Sequence, residues 1–104
     1  MAVLEICTFT LSAGTLSAEG PSAGEEAMRA ADERMQTDFA YQQPGLRRRT
    51  TARDDEGRWC VVSLWTSRDE ALAAEEAAKT NEVAQNFWSL VDPESVSVQR
   101  FTLL

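Results

Sequence analysis

Apolar positions along the chain repeat with the period of β-strands in some segments and of helices in others. The strand-like segments, rich in β-branched and aromatic residues, are Val3–Leu11, Leu46–Arg53, Arg58–Trp65 and Ser95–Leu103. The helical spacings run from about Glu25 to Tyr41 and from Ser67 onward. The order β-α-β-β-α-β predicts one ferredoxin-like α+β domain over residues 1–104, with a four-stranded antiparallel sheet and both helices on one face.

Local signals give the helix boundaries. Serine and glutamate stand at capping-box spacing in the pairs Ser22/Glu25 and Ser67/Glu70. The segment Ser12–Gly24 contains three of the five glycines and a proline, which predicts a loop. The second helix is expected to break near Thr80-Asn81, where poor helix formers interrupt the pattern.

Most of the predicted strands carry apolar residues on both faces. In the first strand, Val3 and Phe9 point one way while Leu4 and Ile6 point the other. A sheet with one solvated face would not show this, and two helices cover only one face. At about 25 cal/mol per Å² of apolar surface, leaving the second face in water would forgo several kcal/mol. We therefore predict a homodimer that packs sheet against sheet, as a dimeric α/β barrel.

Composition and charge narrow the function. Ten basic residues against 17 acidic ones give a net charge of −7, which disfavours nucleic acids and anionic membrane surfaces as partners. The chain has no histidine, the commonest metal ligand and general base, so no metal site is expected. No glycine-rich nucleotide-binding motif occurs, and no organic cofactor is expected. Without a signal-peptide pattern or a long apolar run, a cytoplasmic location is expected.

The two cysteines and the other acid–base groups are few. Cys7 and Cys60 both fall inside predicted strands, which favours free structural thiols over a disulfide or a redox pair. Apart from these thiols, the acid–base candidates are carboxylates and Tyr41. Any reaction here is therefore expected to need little proton transfer.

Three stretches carry a resemblance to a known family: Tyr41–Leu46 (YQQPGL), Val61–Ala74 (VVSLWTSRDEALAA) and Asn86–Leu103 (NFWSLVDPESVSVQRFTL). With the element order and the chain length, they make the chain resemble the antibiotic-biosynthesis-monooxygenase-like family of dimeric α/β barrels. The resemblance covers essentially the whole chain. It implies a dimeric barrel and a small-molecule ligand in the space between helices and sheet.

The resemblance also implies a chemistry. Family members that oxidise polycyclic phenols to quinones use molecular oxygen without metal or flavin, and they rely on a tryptophan that matches Trp65. Their asparagine four residues earlier and their tyrosine six residues later correspond here to Val61 and Ala71, so both polar partners are absent. In haem-degrading relatives the axial histidine falls on Glu75, so a histidine-ligated haem is not expected.

Trp65 and Tyr41 are the candidate catalytic residues. Trp65 ends a strand and could stack on a planar substrate, or it could plug the core at the end of the sheet. The phenol of Tyr41 could hydrogen-bond or deprotonate a hydroxylated ligand. The alternative for Tyr41 is packing of its ring against the Pro44-Gly45 turn.

The candidate substrate-binding residues are Arg49, Trp88 and Asn86. Arg49 belongs to the one basic cluster, Arg47, Arg48, Arg49 and Arg53. That cluster could bind an anion or phenolate, or it could form an ion-paired edge strand that meets Glu5. Trp88 lies off the apolar stripe of its helix and is expected at a rim or the dimer contact. Asn86 could orient an oxygen-bearing ligand or simply lie on the surface.

Two functions remain open from these observations. The first is a cofactor-independent monooxygenase-like enzyme acting on a planar aromatic or phenolic molecule, with Tyr41 or an arginine stabilising its anion. The second is a non-catalytic dimeric module that binds an apolar small molecule. A scaffold with a filled interior is a third, structural possibility. An open cavity with polar groups converging on Trp65 would favour the enzyme, and a wholly apolar cavity would favour the binder.

Overall fold

The structure is a computed structural model that describes the backbone of residues 1–17 and 21–104 and all side chains except those of residues 17–22. Within that part of the chain the strands are β1 (Val3–Phe9), β2 (Leu46–Arg53), β3 (Trp59–Trp65) and β4 (Ser97–Thr102). The α-helices are α1 (Ala13–Ser17), α2 (Pro21–Arg34), α3 (Arg68–Ala78) and α4 (Glu82–Ser89). A π-helical turn at Met35–Phe39 and 3₁₀ turns at Ala40–Gln42 and Pro93–Ser95 complete the elements.

The strands of the described residues form one antiparallel sheet in the order β2-β3-β1-β4. Cys7 lies opposite Val61 of β3 and Val98 of β4, which fixes the register of the central strand. Odd-numbered residues of β1 and β3 therefore share the face that packs against the helices. The predicted ferredoxin-like α+β fold is confirmed.

The core between helices and sheet is dense at one end and thin at the other. At the dense end Phe9, Met28 and Phe87 are fully buried, and the Phe87 ring meets the Phe9 ring edge-on at 5.8 Å. At the other end a small cluster contains Trp65, with alanines of α3 as its buried partners. The interior is therefore well filled beneath α2 and α4 and poorly filled beneath α3.

The prediction of a loop over Ser12–Gly24 is wrong for much of that segment. The Ser12 hydroxyl accepts a hydrogen bond from the Thr15 N–H at 3.2 Å and starts α1. Pro21 opens α2, since a proline suits the first helical position. Gly24 is a contact point rather than a helix breaker: a Cβ there would lie 2.8 Å from the Thr15 carbonyl oxygen. The Ser22 side chain of the predicted capping box lies outside the described residues.

The second predicted helix and the cysteines agree with expectation. The helix divides between Ala78 and Glu82 into α3 and α4, and the Asn81 side chain accepts a hydrogen bond from the Ala84 N–H at 3.0 Å at the start of α4. Ser67 caps α3 by accepting from the Glu70 N–H at 3.2 Å, so the second capping box is confirmed. Both cysteines are free thiols.

The outer face of the sheet is apolar and only partly covered within one chain. Its residues include the partly buried Leu4, Ile6 and Leu64 and the exposed Phe101 and Leu103. The predicted homodimer would cover this face and stays a prediction. Among the described residues, no helix is both long enough and apolar enough to cross a membrane.

The two turns that flank β2, with Gly45 before the strand and Gly57 after it, give a test of the local fold. Gly45 and Gly57 both have positive φ, 88° and 84°, but only at Gly45 would an added methyl group strike another side chain, 2.5 Å from the Glu70 carboxyl carbon. Gly57→Ala should cost about 1 kcal/mol for the left-handed backbone alone. Gly45→Ala should cost clearly more in urea unfolding, because it also displaces the Glu70 carboxylate.

The pH dependence of this difference supplies a further check. Hydrogen bonds from Thr66 and then Ser67 lower the pKa of Glu70. Their stabilisation is therefore present above the unfolded-state pKa and is lost as the pH falls through the folded-state pKa. The extra cost of Gly45→Ala over Gly57→Ala should shrink on acidification, and a gap that stays constant would contradict the role given to Glu70.

Candidate functional site

A cavity of about 480 Å³ lies between the sheet and helices α3 and α4. Its floor includes Glu5 and Arg100, and α3 contributes Ala71 and Ala74 to the opposite wall. The cavity occupies the thinly packed end of the core. Its volume lies in the range of small-molecule sites, and its lining combines apolar surface with a few charged groups, as such sites usually do.

Trp65 lines this cavity and has an unsatisfied polar atom. Its side chain is 6% exposed and clusters with Ala71 and Ala74. The indole Nε1–H is buried and has no hydrogen-bond partner among the described residues. A buried donor without a partner costs about 1–3 kcal/mol, so an acceptor atom on a bound ligand would relieve that cost.

The position of Trp65 is held by the turn that follows it. The Thr66 N–H donates to the Gly45 carbonyl at 2.8 Å, which ties the end of β3 to the start of β2. The Thr66 hydroxyl donates to the Glu70 carboxylate, and so does the Ser67 hydroxyl at 3.0 Å. The capping box of α3 therefore also fixes the end of β3 and, with it, the position of the Trp65 indole.

Arg49 lines the cavity with a largely occupied guanidinium group. Its side chain is 5% exposed and forms an ion pair with Asp32 at 2.8 Å. A second nitrogen donates to Gln36 and Thr51, each at 3.3 Å, and the guanidinium carbon lies 5.7 Å from the centre of the Phe87 ring. The pair thus ties α2 and the π-helical turn to β2, and few donors of Arg49 remain for a ligand.

Tyr41, a predicted catalytic residue, lies outside the lining of the cavity. Its hydroxyl accepts a hydrogen bond from the Arg49 N–H at 2.8 Å and donates to the Arg49 carbonyl at 3.4 Å, and its ring is exposed. A register shift between Leu46 and Arg48 precedes this contact. The phenol therefore holds the backbone at Arg49 in place, directly after the irregularity in β2.

The two remaining predicted binding residues differ in whether they line the cavity. Trp88 lines the cavity, and its ring meets the rings of Phe87 and Phe9 edge-on at 5.0 and 5.8 Å. Asn86 is exposed and lies outside the lining, and its carbonyl accepts a hydrogen bond from the Ser89 hydroxyl at 2.6 Å. The structure thus brings Trp65, Arg49 and Trp88 together at one cavity.

Glu5 and Arg100 are cavity residues that sequence reasoning did not select as a site. Arg100 Nε lies 2.8 Å from Glu5 Oε2, and Arg100 Nη2 lies 3.5 Å from Glu75 Oε1. The expectation that Glu5 meets the arginines of β2 is wrong, because β3 lies between β2 and β1. The available signal was the isolated charge in β1, since Arg100 is its cross-strand partner in β4.

The basic cluster of β2 does not converge on the cavity. Of its members, Arg49 alone is among the lining residues in the described part of the chain. Arg53 binds Glu25 at 2.8 Å on the surface, where its hydrogen bond, followed by that of Arg29, lowers the pKa of Glu25. The predicted anion subsite therefore reduces to one buried arginine from this strand.

The thiol of Cys7 lines the cavity in its neutral form. Burial, followed by the charge of Glu5, raises its pKa to about 11. The thiol is therefore protonated at neutral pH and is a poor nucleophile. Among the described side chains, those of residues 1–16 and 23–104, no cluster of three His, Cys, Asp or Glu is arranged to hold a metal ion.

Known structures share this fold over nearly their whole length. SnoaB from Streptomyces nogalater, described as a cofactor-independent oxygenase, has 18% identity and a TM-score of 0.73, covering 99% of this chain and 93% of its own. A structure from Bordetella bronchiseptica, named for antibiotic biosynthesis monooxygenases, has 16% identity and a TM-score of 0.74, with 99% and 97% covered. The chain has the fold of these monooxygenase structures.

A third structure, Rv0793 from Mycobacterium tuberculosis, has 15% identity and a TM-score of 0.63, covering 100% of this chain and 96% of its own. No protein-family model and no curated protein matches the sequence. The predicted resemblance is thus confirmed at the level of the fold, and identities this low carry no assignment of activity.

The contribution of the buried Arg49–Asp32 ion pair to the stability of the protein can be tested by removing the negative charge. Asp32→Asn should destabilise the protein by about 3–5 kcal/mol, because it leaves the Arg49 cation buried without its counter-ion. Asp38→Asn is the matched control, since Asp38 pairs with Arg34 at 3.8 Å on the surface with more than half of each side chain exposed. That variant should lose less than about 0.5 kcal/mol in urea unfolding. Equal losses would contradict the role of the Arg49–Asp32 pair.

Proposed function

We propose that this protein is a monooxygenase that binds a planar phenolic molecule in the cavity and oxidises it with molecular oxygen, without metal or organic cofactor. The observation that carries this is the buried Nε1–H of Trp65, which lines a cavity of about 480 Å³ and lacks a partner among the described residues. The fold shared with SnoaB supports the same reading.

The reaction class needs only the substrate and dioxygen. An activated methylene between aromatic rings loses a proton, and the resulting carbanion bonds to one atom of O₂. The O–O bond then breaks, a carbonyl forms and the second oxygen leaves as water, so that R₂CH₂ + O₂ gives R₂C=O + H₂O. The substrate is the reductant and dioxygen the oxidant. The protein contributes orientation, exclusion of water and charge stabilisation.

Trp65 has a defined part in this proposal. The indole face offers a surface for stacking against a planar ring. Its Nε1–H would donate to the carbonyl or phenolate oxygen of the substrate, and that bond strengthens as negative charge develops. Tyr41 does not line the cavity, so we assign it a positioning role through Arg49, and Asn86 has no contact there that would support binding.

A second candidate is a module that binds an apolar small molecule without reacting with it. It is favoured by Val61 and Ala71, whose hydrocarbon side chains line the cavity where the resemblance places an asparagine and a tyrosine. The two functions share the ligand site and differ in oxygen uptake. A filled scaffold is disfavoured by the size of the cavity.

The site is tested by ligand-dependent melting with a panel of polycyclic phenols. At one hundred times its dissociation constant a bound phenol should stabilise the protein by about 2.7 kcal/mol. Trp65→Phe keeps an aromatic ring but loses the N–H, and should weaken binding about tenfold, for a lost bond of about 1.4 kcal/mol. Trp59→Phe is the control, because Trp59 is equally buried but does not line this cavity. Equal binding by both variants would place the ligand elsewhere.

Oxygen uptake distinguishes the enzyme from the binding module. With the phenol that gives the largest thermal shift, the enzyme should consume one O₂ per product and incorporate one ¹⁸O atom from ¹⁸O₂, measured by electrode and mass spectrometry. Ligand binding without oxygen uptake or label would support the module instead.

We also infer that the outer face of the sheet binds a second copy of the chain. A patch that includes Leu4, Ile6, Leu64 and Phe101 is apolar and lies on the face of the sheet that the helices leave uncovered, and a twofold dimer would pack this patch of one copy against the same patch of the other. Ile6→Glu should convert a dimer to a monomer in analytical ultracentrifugation, because it places a charge at the centre of the patch. Leu72→Glu, on the exposed face of α3, should leave the dimer intact. A monomeric wild-type protein at micromolar concentration would contradict this inference.

A further inference from the structure

We propose that Glu5 is the proton acceptor for a hydroxyl group of the ligand and that Arg100 binds the anion so formed. This assignment rests on the proposed function and names the acid–base machinery of the same cavity. It concerns residues on β1 and β4, and Glu5 lies two residues along β1 from Val3, the cross-strand partner of Trp65.

Glu5 is the one charged residue of strand β1. On the face of β1 that packs against the helices, its neighbours Val3, Cys7 and Phe9 are buried hydrophobic side chains. Placing a carboxylate among them carries a desolvation cost that an apolar residue would avoid. The Glu5 side chain remains 18% exposed because it borders the cavity.

The hydrogen bonding of the Glu5–Arg100 pair is incomplete. The pair is joined by one contact, from Arg100 Nε to Glu5 Oε2 at 2.8 Å. Among the described residues nothing donates to Glu5 Oε1, and the remaining guanidinium nitrogens of Arg100 reach only Glu75, at 3.5 Å. An acceptor oxygen and free cationic N–H groups therefore stand side by side at the cavity. A hydroxyl that donates to the first and becomes an anion beside the second would complement both.

The other ionisable groups of the cavity are less suited to the task. The Cys7 thiol is protonated, and the Arg49 donors are largely engaged by α2 and β2. Glu75 of α3 and Lys79, directly after the end of α3, have exposed side chains, and Lys79 binds Glu76 at 3.0 Å. With Arg100 of β4, these are the charged and titratable groups among the lining residues that share the cavity with Glu5.

The proton transfer conserves charge within the cavity. The ligand O–H bond breaks, its proton forms a new O–H bond on Glu5, and its electron pair stays on the phenolate oxygen beside Arg100. Before the step Arg100 faces the Glu5 carboxylate, and after it Arg100 faces the phenolate. One ion pair replaces another, so no net charge needs to be buried. When the hydroxyl is the enol form of the methylene substrate, this anion is also the carbanion that bonds to O₂. Glu5 then returns its proton to the peroxide, and water leaves as the remaining C–H bond and the O–O bond break to give the carbonyl.

Glu5→Gln tests the assignment through the pH profile. With the base removed, kcat should fall about 10²–10⁴-fold at pH values below the pKa of the free phenol. Above that pKa the solvent ionises the substrate, so activity should recover towards the wild-type value. Glu5→Asp, which keeps a carboxylate, should retain part of the activity and the wild-type shape of the profile. Glu26→Gln, at an exposed position, is the control and should match the wild type.

A second measurement needs no turnover. When 4-nitrophenol is bound below its pKa, the wild-type protein should show a nitrophenolate band that changes little with pH, because the proton stays in the cavity on Glu5. In Glu5→Gln the proton must pass to solvent, so the band should fall about tenfold for each pH unit below the pKa of the bound probe. Added at high pH as the preformed anion, the probe should bind Glu5→Gln more tightly than the wild type, because Arg100 has lost its competing carboxylate. Arg100→Gln should bind the anion at least tenfold more weakly.

The two measurements separate the failure of this assignment from failure of the proposed function. No oxygen uptake by the wild type, together with the expected probe spectra, would overturn the oxygenase and uphold the acid–base pair. A nitrophenolate band in Glu5→Gln with the same pH dependence as that of the wild type would overturn the assignment and leave a structural cross-strand ion pair. Should Glu5→Gln fail to fold, a Glu5→Asp variant without the nitrophenolate band would overturn it equally.

Discussion

The site depends on the small side chains with which α3 faces the sheet. Ala71, Ala74 and Ala78 all line the cavity, where a typical amphipathic helix would present leucines. Alanines alone would allow the helix to settle onto the strands, but the large indole of Trp65 packs against Ala71 and Ala74. The ring therefore acts as a spacer at the end of β3, and the space beside it stays open. At the other end Phe9, Met28 and Phe87 fill the corresponding volume and supply the dense core.

Two arginine–carboxylate pairs flank that space, and they differ in how completely they are satisfied. Arg49 has partners on α2, on the π-helical turn and on its own strand, so its charge is compensated before any ligand arrives. Arg100 has one close partner, Glu5, and a longer contact to Glu75. A saturated buried pair mainly fixes geometry, because breaking it exposes an uncompensated charge. An unsaturated pair at a cavity keeps donors and an acceptor available, and chemistry is therefore expected at Arg100 rather than at Arg49.

Features that a few neighbouring residues encode were predicted from the sequence, and features that depend on contacts between distant residues were not. The strands, the Ser67 cap and the break before Asn81 rest on periodicity and capping, which act over a few residues, and they were predicted. The register of β2 was not, because LRRRTTAR offers no apolar alternation to indicate which arginine turns inward, and a bulge decides it. The partner of Glu5 depends on a pairing between strands at opposite ends of the chain. Trp65, selected for its position at a strand end, lines the cavity, whereas Tyr41 lies outside the lining, and helical spacing does not reveal the π-helical turn that precedes it.

The absence of an asparagine at Val61 and a tyrosine at Ala71 need not remove the capacity for oxygen chemistry. A cofactor-independent oxygenation requires a group that takes a proton, a group that stabilises the anion and a cavity that excludes water. None of these requirements ties a polar group to a particular strand. Here β3 presents Val61, while its neighbours β1 and β4 present Glu5 and Arg100 to the same cavity. Because β1 lies between β3 and β4, the acid–base function proposed for Glu5 and Arg100 lies one or two strands from β3 and faces the same cavity as Trp65.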